Sequence, residues 1–291
     1  MSLYDFAKGL VLEAGNKVRI MMKEELNIET KSNPNDLVTN VDKATENYIY
    51  DAITHSYPEH RVIGEEGHGH DLTHVEGVVW VVDPIDGTLN FVHQKENFAI
   101  SIGIYRNGKP YAGFVYDVMK DVLYHAKVGE GAFENKHPLS TIESTTLKKS
   151  LIGINPNWVT KPKMGPIFQD IVNDARSCRA YGSAALEIIS VAKGQLAAYI
   201  TPRLQPWDFA GGLIVLNEVG GVASNLLGEP LNISSANSVL VGNSNIHKEI
   251  LEIYLAPNTA TLIDLHQRFK NKKSYFNKKS LRQKYLKLYI S

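Results

Sequence analysis

The chain has 291 residues, 43% of them hydrophobic and 21% charged, enough apolar material for one large core or two lobes sharing an interface. No window approaches the ~18 uninterrupted apolar residues of a membrane span, and the start, MSLYDFAKGL, lacks a basic stretch followed by an apolar signal core. A cytoplasmic protein is predicted. The net charge of zero hides a division: residues 261–291 hold nine Lys or Arg and one Asp, whereas the preceding residues hold 22 basic and 30 acidic side chains. Such a tail could dock on an anionic partner, although its ordinary reading is a solvated helix or a frayed end. The lone Cys178 excludes an internal disulfide, fits a reducing compartment and reads as a small buried apolar residue.

Apolar residues from Leu3 to Met22 recur at the helical period and predict an amphipathic helix over 3–25. A polar loop, ETKSNPNDLVTN, precedes a second helix marked by Val41, Ala44, Thr45, Tyr48, Ile49, Ala52 and Ile53, with Asp42 in its first turn. HRVIGEEGHGH reads as a short strand that leaves Glu65 and Glu66 at its exit. Val78 to Val82 form an apolar run around Trp80, followed at once by Asp83 and Asp86. Three β-like runs come next, 99–105, 111–118 and 122–127, the first two joined by RNGK, an Asn-Gly hairpin signal. Beyond residue 150 the pattern alternates: strand 151–155, helices near 163–174 and 184–193, strand 196–200, helix 207–218, β runs 221–225 and 238–242, and a helix near 246–255. The division expected is an N-terminal α+β lobe over 1–150, a C-terminal α/β lobe over 151–260 and a basic tail over 261–291.

Asp42, Glu65, Glu66, Asp83, Asp86 and Asp208 all follow apolar strands or open helices. Gathered without a cation, each pair at ~4 Å would cost on the order of 4 kcal/mol at an effective dielectric of 20. Either they lie apart or they hold metal. An all-oxygen donor set suits a hard cation, and Mg2+ is the usual one in phosphate chemistry. In DPIDGT, Pro84 lacks an amide hydrogen and is expected to bend the chain out of the strand, so that Asp83 and Asp86 face one point with the Ile85 carbonyl between them. Gly87 permits close approach of an anion, and Gly87 and Thr88 offer amides at an apparent helix start. The alternative reading of the six residues is an Asp helix cap and a Gly turn.

Five segments, KSNPNDLVTNVD (31–42), GEE (64–66), WVVDPIDGTLNFVH (80–93), YGSAALEI (181–188) and PWDFAGGLIVLNEVGG (206–221), occur in an order that resembles the inositol monophosphatase family. The resemblance spans residues 1 to about 255. It implies a layered αβαβα sandwich of the inositol monophosphatase and fructose-1,6-bisphosphatase type, hydrolysis of phosphate monoesters by metal-activated water, inhibition by Li+ and a homodimer. It further implies that Glu65, Asp83 and the Ile85 carbonyl bind one Mg2+, that Asp83, Asp86 and Asp208 bind a second, and that Glu65 with water holds a third. Thr88 and Asp42 match the pair that takes the proton of the attacking water, with Glu65 as the alternative acceptor. Lys31 matches a basic residue on a loop near the site, and Gly182, Ser183 and Ala184 match a segment that meets the substrate.

The chain departs from that pattern in one informative place. A Glu often stands seven residues before the Trp-Asp aspartate, where it accepts bonds from ring hydroxyls; here the position holds Thr201, with Arg203 two residues on. Arg binds phosphate bidentately, so substrates with a second phosphate, fructose 1,6-bisphosphate or NADP with its 2'-phosphate, are alternatives to inositol monophosphate. Leu89 also replaces a common Thr. In HGHDLTH, His68, His70 and His74 lack the spacing of a preformed metal site and read as a solvated loop, while His93 and His125 read as packing residues. A reading of another class, a non-catalytic regulatory protein acting through the tail, is disfavoured by the complete ligand set.

Overall fold

The computed structural model describes residues 1–31, 34, 36–67 and 76–267. Helix α1 (Leu3–Met21) is followed by the antiparallel pair β1 (Ile28–Thr30) and β2 (Leu37–Thr39), and by helix α2 (Asn40–Ser56). Strands β3 (Arg61–Gly64) and β4 (Val78–Asp86) run parallel. After the short helix α3 (Thr88–His93), strands β5 (Ala99–Arg106), β6 (Lys109–Asp117), β7 (Val122–Lys127), β8 (Ala132–Glu134) and β9 (His137–Pro138) extend the same sheet antiparallel, in the order β3 to β9. The second half comprises β10 (Leu151–Gly153), α4 (Pro156–Val159), α5 (Gly165–Asp174), β11 (Ser177–Arg179), α6 (Ala184–Ala192), β12 (Ala198–Leu204), α7 (Pro206–Glu218), β13 (Val222–Ser224), β14 (Asn237–Gly242) and α8 (Ser244–Glu249). Its five strands form a sheet in the order β11-β10-β12-β14-β13.

Side-chain alternation in β4 shows how the layers arise. Trp80 and Val82 point to the face covered by α1 and α2, where they pack with Val11, Ile49 and Ile53; Val79 and Val81 point to the other face, against α6 and α7. Both faces being covered, the strand is apolar throughout rather than half polar. The opposite sides of α6 and α7 meet Tyr199, Val239 and Val241 of the second sheet, whose far face carries Ile152, Ile200 and Leu240 against α5, α8 and the helical turns after it. The result is the five-layer αβαβα sandwich.

Helix α7 approaches the first sheet unusually closely. A Cβ on Gly103 would stand 2.8 Å from the Ala210 carbonyl carbon, one on Gly113 2.3 Å from Gly211 O, and one on Gly211 2.9 Å from the carbonyls of Ile102 and Phe114. Three glycines therefore set the layer spacing. Tyr105 Oη donates to Ala210 O at 3.1 Å across the same seam. The segment from 206 to 218 thus packs on strands from the first half of the chain, and one core runs through both halves.

Several expectations need correction. The polar loop 29–40 holds β2 and all but the first residue of β1, and α1 stops at Met21 rather than 25. Pro84 does not end its strand: β4 continues to Asp86, with a register shift against β5 between Asp83 and Asp86. Pairing with β3 reaches only Val82, so no neighbour on that side asks Pro84 for an amide hydrogen. Cys178 is exposed, because β11 is an edge strand of three residues. Leu262 is buried and Leu265 packs beside it, while Lys163 pairs with Asp264 at 2.7 Å, so the packed body reaches residue 267 rather than ending at 260. His68, His70 and His74, and the tail from 268 onward, lie outside the described residues. Among the described residues no helix is long and apolar enough to cross a membrane.

Candidate active site

Two acids of the site, Asp42 and Asp208, stand in the first turns of helices, and a third, Asp86, reaches one. Asp42 is the third residue of α2, where its Oδ2 accepts the Thr39 amide at 2.9 Å while Thr39 Oγ1 accepts from the Val41 amide at 3.1 Å, a reciprocal cap. Asp208 holds the same position in α7 and accepts the Gln205 amide at 2.7 Å, with Pro206 at the first turn. Asp86 lies at the end of β4 but reaches the first turn of α6: its Oδ2 accepts the Ala185 amide at 2.8 Å and a very short bond from Ser183 Oγ. Gly87 and Thr88 open α3. Four helix amino ends, those of α2, α3, α6 and α7, therefore carry or face the site, and their dipoles favour negative charge there.

Asp83, Asp86 and Asp208 come together: each offers a carboxylate oxygen, and these oxygens all lie within 4.8 Å of one another. The Ile85 amide donates to Asp83 Oδ1 at 3.0 Å, a local turn that fixes the carboxylate and brings the Ile85 carbonyl into the same bend. Thr88 Oγ1 lies 3.1 Å from both Asp42 Oδ1 and the Ile85 carbonyl. It has one proton, which serves one acceptor at a time. Glu65 stands beside this group but faces Lys31 Nζ at 2.9 Å, and the same ammonium makes a 2.5 Å bond to Glu66.

Crowding shows in the acidities. Burial, then the charges of Glu65, Asp86 and Asp208, hold the Asp83 carboxyl well above the ordinary carboxylate range. Burial, then Asp86 and Glu65, does the same to Asp208, against the opposing pull of the Gln205 amide and Arg203. Asp86 is pushed up to about 6 by burial despite its bonds from Ser183 and Ala185. Burial also raises Glu65, Asp42, and Glu66, the last to about 7. For Lys31, burial would depress the ammonium, but Glu65 and Glu66 keep it above its usual value. Three oxygen donors that repel one another, two of them buried and the third partly so, fit a hard divalent cation such as Mg2+.

The remaining candidates fall around this cluster. Gly87 adopts φ +98°, and a Cβ there would stand 3.2 Å from Ser183 Cβ and 3.3 Å from Gly182 O, so the turn after Asp86 is pressed against the 182–184 segment. Gly182 itself has φ +76°. Ser183 and Ala184 open α6, and the Ser183 hydroxyl is committed to Asp86. Arg203 is exposed near the end of β12, and Thr201 is buried in the same strand. His125 is a packing residue, stacked between Phe114 and Phe133, and His93 is exposed.

Sequence reasoning passed over three polar residues that hold the site in shape. Buried Glu46 accepts the Glu66 amide at 2.6 Å through Oε2, and its carboxyl fills the space where a Gly64 side chain would stand. Asn90 Nδ2 donates to the carbonyls of Asn97 at 2.8 Å and Tyr181 at 2.6 Å. Glu187 accepts the Tyr181 amide at 2.6 Å. The available signal was an acid on the inward face of a helix: Glu46 shares its face with Val41, Thr45 and Ile49, and Glu187 sits inside the apolar run AALEIISVA.

A layered αβαβα sandwich with clustered aspartates beside a Gly-Thr helix start is the architecture of cation-dependent phosphate-monoester hydrolases. Comparison with known proteins sharpens that class. The model of the inositol monophosphatase family matches residues 1–256. Inositol-1-monophosphatase of Bacillus subtilis (strain 168) is 50% identical over 253 residues, covering 86% of this chain and 96% of the relative. The crystal structure of inositol monophosphatase-II from Staphylococcus aureus MSSA476 superposes with a TM-score of 0.87 at 65% identity, covering 92% of this chain and 98% of that one. A crystal structure of SaIMPase-II with 2'AMP bound gives 0.87 at 64% identity, covering 92% and 100%. The chain belongs to the inositol monophosphatase family, phosphatases that hydrolyse phosphate monoesters.

Proposed function

We propose that this chain is a Mg2+-dependent phosphomonoesterase acting on inositol monophosphate, with Glu65, Asp83, Asp86, Asp208 and the Ile85 carbonyl as metal ligands. The observation that carries the reading is the gathering of Asp83, Asp86 and Asp208 oxygens within 4.8 Å of one another, beside the Thr88–Asp42 contact. Bound Mg2+ supplies Lewis acidity toward phosphate and water and neutralises the charge of the departing alkoxide. Within the chain, Thr88 passes its proton to Asp42 Oδ1, which frees the threonine oxygen to accept a proton from the attacking water. Glu65 is the alternative acceptor. The amides of Gly87 and Thr88 receive the phosphate, and Gly182, Ser183 and Ala184 border it. Lys31 neutralises Glu65 and Glu66 and lies within reach of an anion there.

A second reading concerns the substrate. SaIMPase-II at 63% identity has been crystallised with inositol monophosphate and at 64% with 2'AMP, so one closely similar site accepts a cyclitol and a nucleoside phosphate. Arg203, whose charge reaches Asp208, offers a partner for a second phosphate. This supports activity on a nucleoside 2'-phosphate such as that of NADP. Fructose-1,6-bisphosphatase activity rests on a relative from Thermotoga maritima at 31% identity. The decisive measurement is phosphate release from inositol 1-phosphate, 2'-AMP, NADP and fructose 1,6-bisphosphate, with and without Mg2+, for wild type and Asp83→Asn. No release from any of them, or release unchanged in the variant, would overturn the assignment.

We further propose two or three Mg2+ per subunit, inhibition by Li+, and a homodimer. A structure of the related staphylococcal inositol monophosphatase-1 soaked in LiCl supports the lithium reading. The lone cysteine fits a cytoplasmic location. Contact of the basic tail with an anionic partner rests on its charge alone.

A further inference from the structure

Glu187 is 3% exposed, and only one of its two carboxylate oxygens has a partner among the described residues. Oε1 accepts the Tyr181 amide at 2.6 Å, and the Gly182 amide also favours the charged carboxylate. Oε2 has no hydrogen-bond partner and lies where a Gly153 side chain would begin, 2.5 Å from that ideal Cβ. Burial pushes the carboxyl up to about 7 even so, with Asp86 adding to the rise. A half-satisfied buried carboxyl is a poor choice for stability, and a leucine of similar volume would cost less.

What the residue does achieve is local. The backbone of Tyr181 is held on both sides: its N–H by Glu187, and its C=O by Asn90 Nδ2 at 2.6 Å from the other half of the chain. Gly182, at φ +76°, turns the chain directly beyond, and a side chain there would stand 2.9 Å from the Asn90 amide. The turn then delivers the Ser183 hydroxyl and the Ala185 amide to the same oxygen, Asp86 Oδ2. Two donors on that one oxygen restrain the Asp86 carboxylate.

We propose that Glu187 is a positioning residue for the cation site: by anchoring the Tyr181–Gly182 turn it fixes Ser183 on Asp86 and so sets the orientation of the Asp86 carboxylate. The inference rests on the reading of Asp83, Asp86 and Asp208 as Mg2+ ligands. Partners that orient a ligand without touching the metal are worth roughly 10- to 100-fold in affinity, and Glu187 acts one step further out, so a loss of about tenfold is expected.

The test compares wild type, Glu187→Leu, Glu187→Gln and Asn90→Ala by two readouts: the Mg2+ concentration giving half-maximal phosphate release from inositol 1-phosphate, and the Mg2+ concentration giving half the maximal rise in Tm. In Glu187→Leu both midpoints move up about tenfold while the metal-free Tm stays level or rises. Glu187→Gln, which keeps an oxygen for the two amides, stays within about threefold of wild type on the same scale. Asn90→Ala, which frees the Tyr181 carbonyl, shifts the midpoints in the same direction and keeps the question open to test if the leucine variant does not fold. Midpoints unchanged in Glu187→Leu, or equal losses in Glu187→Gln and Glu187→Leu, would overturn the positioning role. A wild type whose Tm and activity both ignore Mg2+ would overturn the cation site itself, a separate result.

Discussion

Asp86 Oδ2 accepts the Ala185 amide at 2.8 Å, joining residues 99 apart in the chain and belonging to different sheets' neighbourhoods. The bond ties the last residue of β4 to the first turn of α6, so the acid cluster and the middle helical layer share one fixed point.

Relieving the crowding among the acids should separate stability from activity. Asp83→Asn removes a buried charge repelled by Glu65, Asp86 and Asp208. The metal-free variant is expected to melt higher than wild type, while kcat/KM for inositol 1-phosphate falls about a thousandfold, equivalent to ~4 kcal/mol. Calorimetry with and without Mg2+, alongside phosphate release, checks both signs; a lower metal-free Tm would contradict the repulsion argument.

The same crowding gives a pH dependence with a definite sign. Folded Asp83, Asp208, Glu65 and Asp86 hold protons more tightly than in the unfolded chain, Asp86 up to about 6. Their contribution to metal-free stability is fully present below the unfolded carboxylate value of about 4 and is lost as pH rises through about 6 and above. If these groups hold Mg2+ as proposed, it binds their deprotonated forms, and the Tm gain on adding Mg2+ should grow between pH 5.5 and 8. A gain that is flat or shrinks over that range would refute the assignment of these groups to the cation.

Thr88 is expected to matter through its hydroxyl. Thr88→Ala should lower kcat by about 10²- to 10⁴-fold with little change in the Mg2+ midpoint, and Thr88→Ser should recover most of it, because either hydroxyl reaches Asp42 Oδ1. Equal losses in both variants would show that the methyl packing, not the proton, is what matters.

The glycine seam predicts a distant effect on the site. Gly211→Ala places a methyl 2.9 Å from the Ile102 and Phe114 carbonyls, and α7 must retreat. The expected cost is about 1–3 kcal/mol, with a rise in the Mg2+ midpoint because Asp208 rides on the same helix. Unchanged Mg2+ binding at reduced Tm would show that Asp208 is decoupled from the seam.

Arg203 offers a test of substrate choice. Arg203→Ala should lower kcat/KM for NADP and fructose 1,6-bisphosphate by about 10-fold, the range of a lost charge-assisted bond, while inositol 1-phosphate changes little. Equal small losses across all substrates would return Arg203 to the surface.

The chemistry was legible where composition changed abruptly. Asp83 and Asp86 end an apolar strand, and Asp208 opens an apolar helix, so each acid stood out as a charge that burial would isolate. The β1–β2 pair was hidden because its strands have three residues each, and β1 is exposed throughout, leaving no alternation to read. Pro84 misled for a positional reason: it lies beyond the last β3 pairing, where a missing amide hydrogen costs nothing on that side. The end of the body was misplaced by charge. The basic run begins at Arg268, whereas Leu262 and Leu265, three residues apart, still belong to the core. Glu187 escaped because α6 is buried on every side, so periodicity could not mark one inward position as different.

Because Asp42 and Asp208 also cap α2 and α7, alanine is the wrong probe for them. Asp208→Ala deletes a charge and an acceptor for the Gln205 amide together, and its loss of activity would mix a missing ligand with a frayed first turn. Asparagine keeps a cap oxygen and isolates the charge. The difference between the two substitutions at each position therefore measures how much of this enzyme's catalytic geometry is borrowed from the way its helices begin.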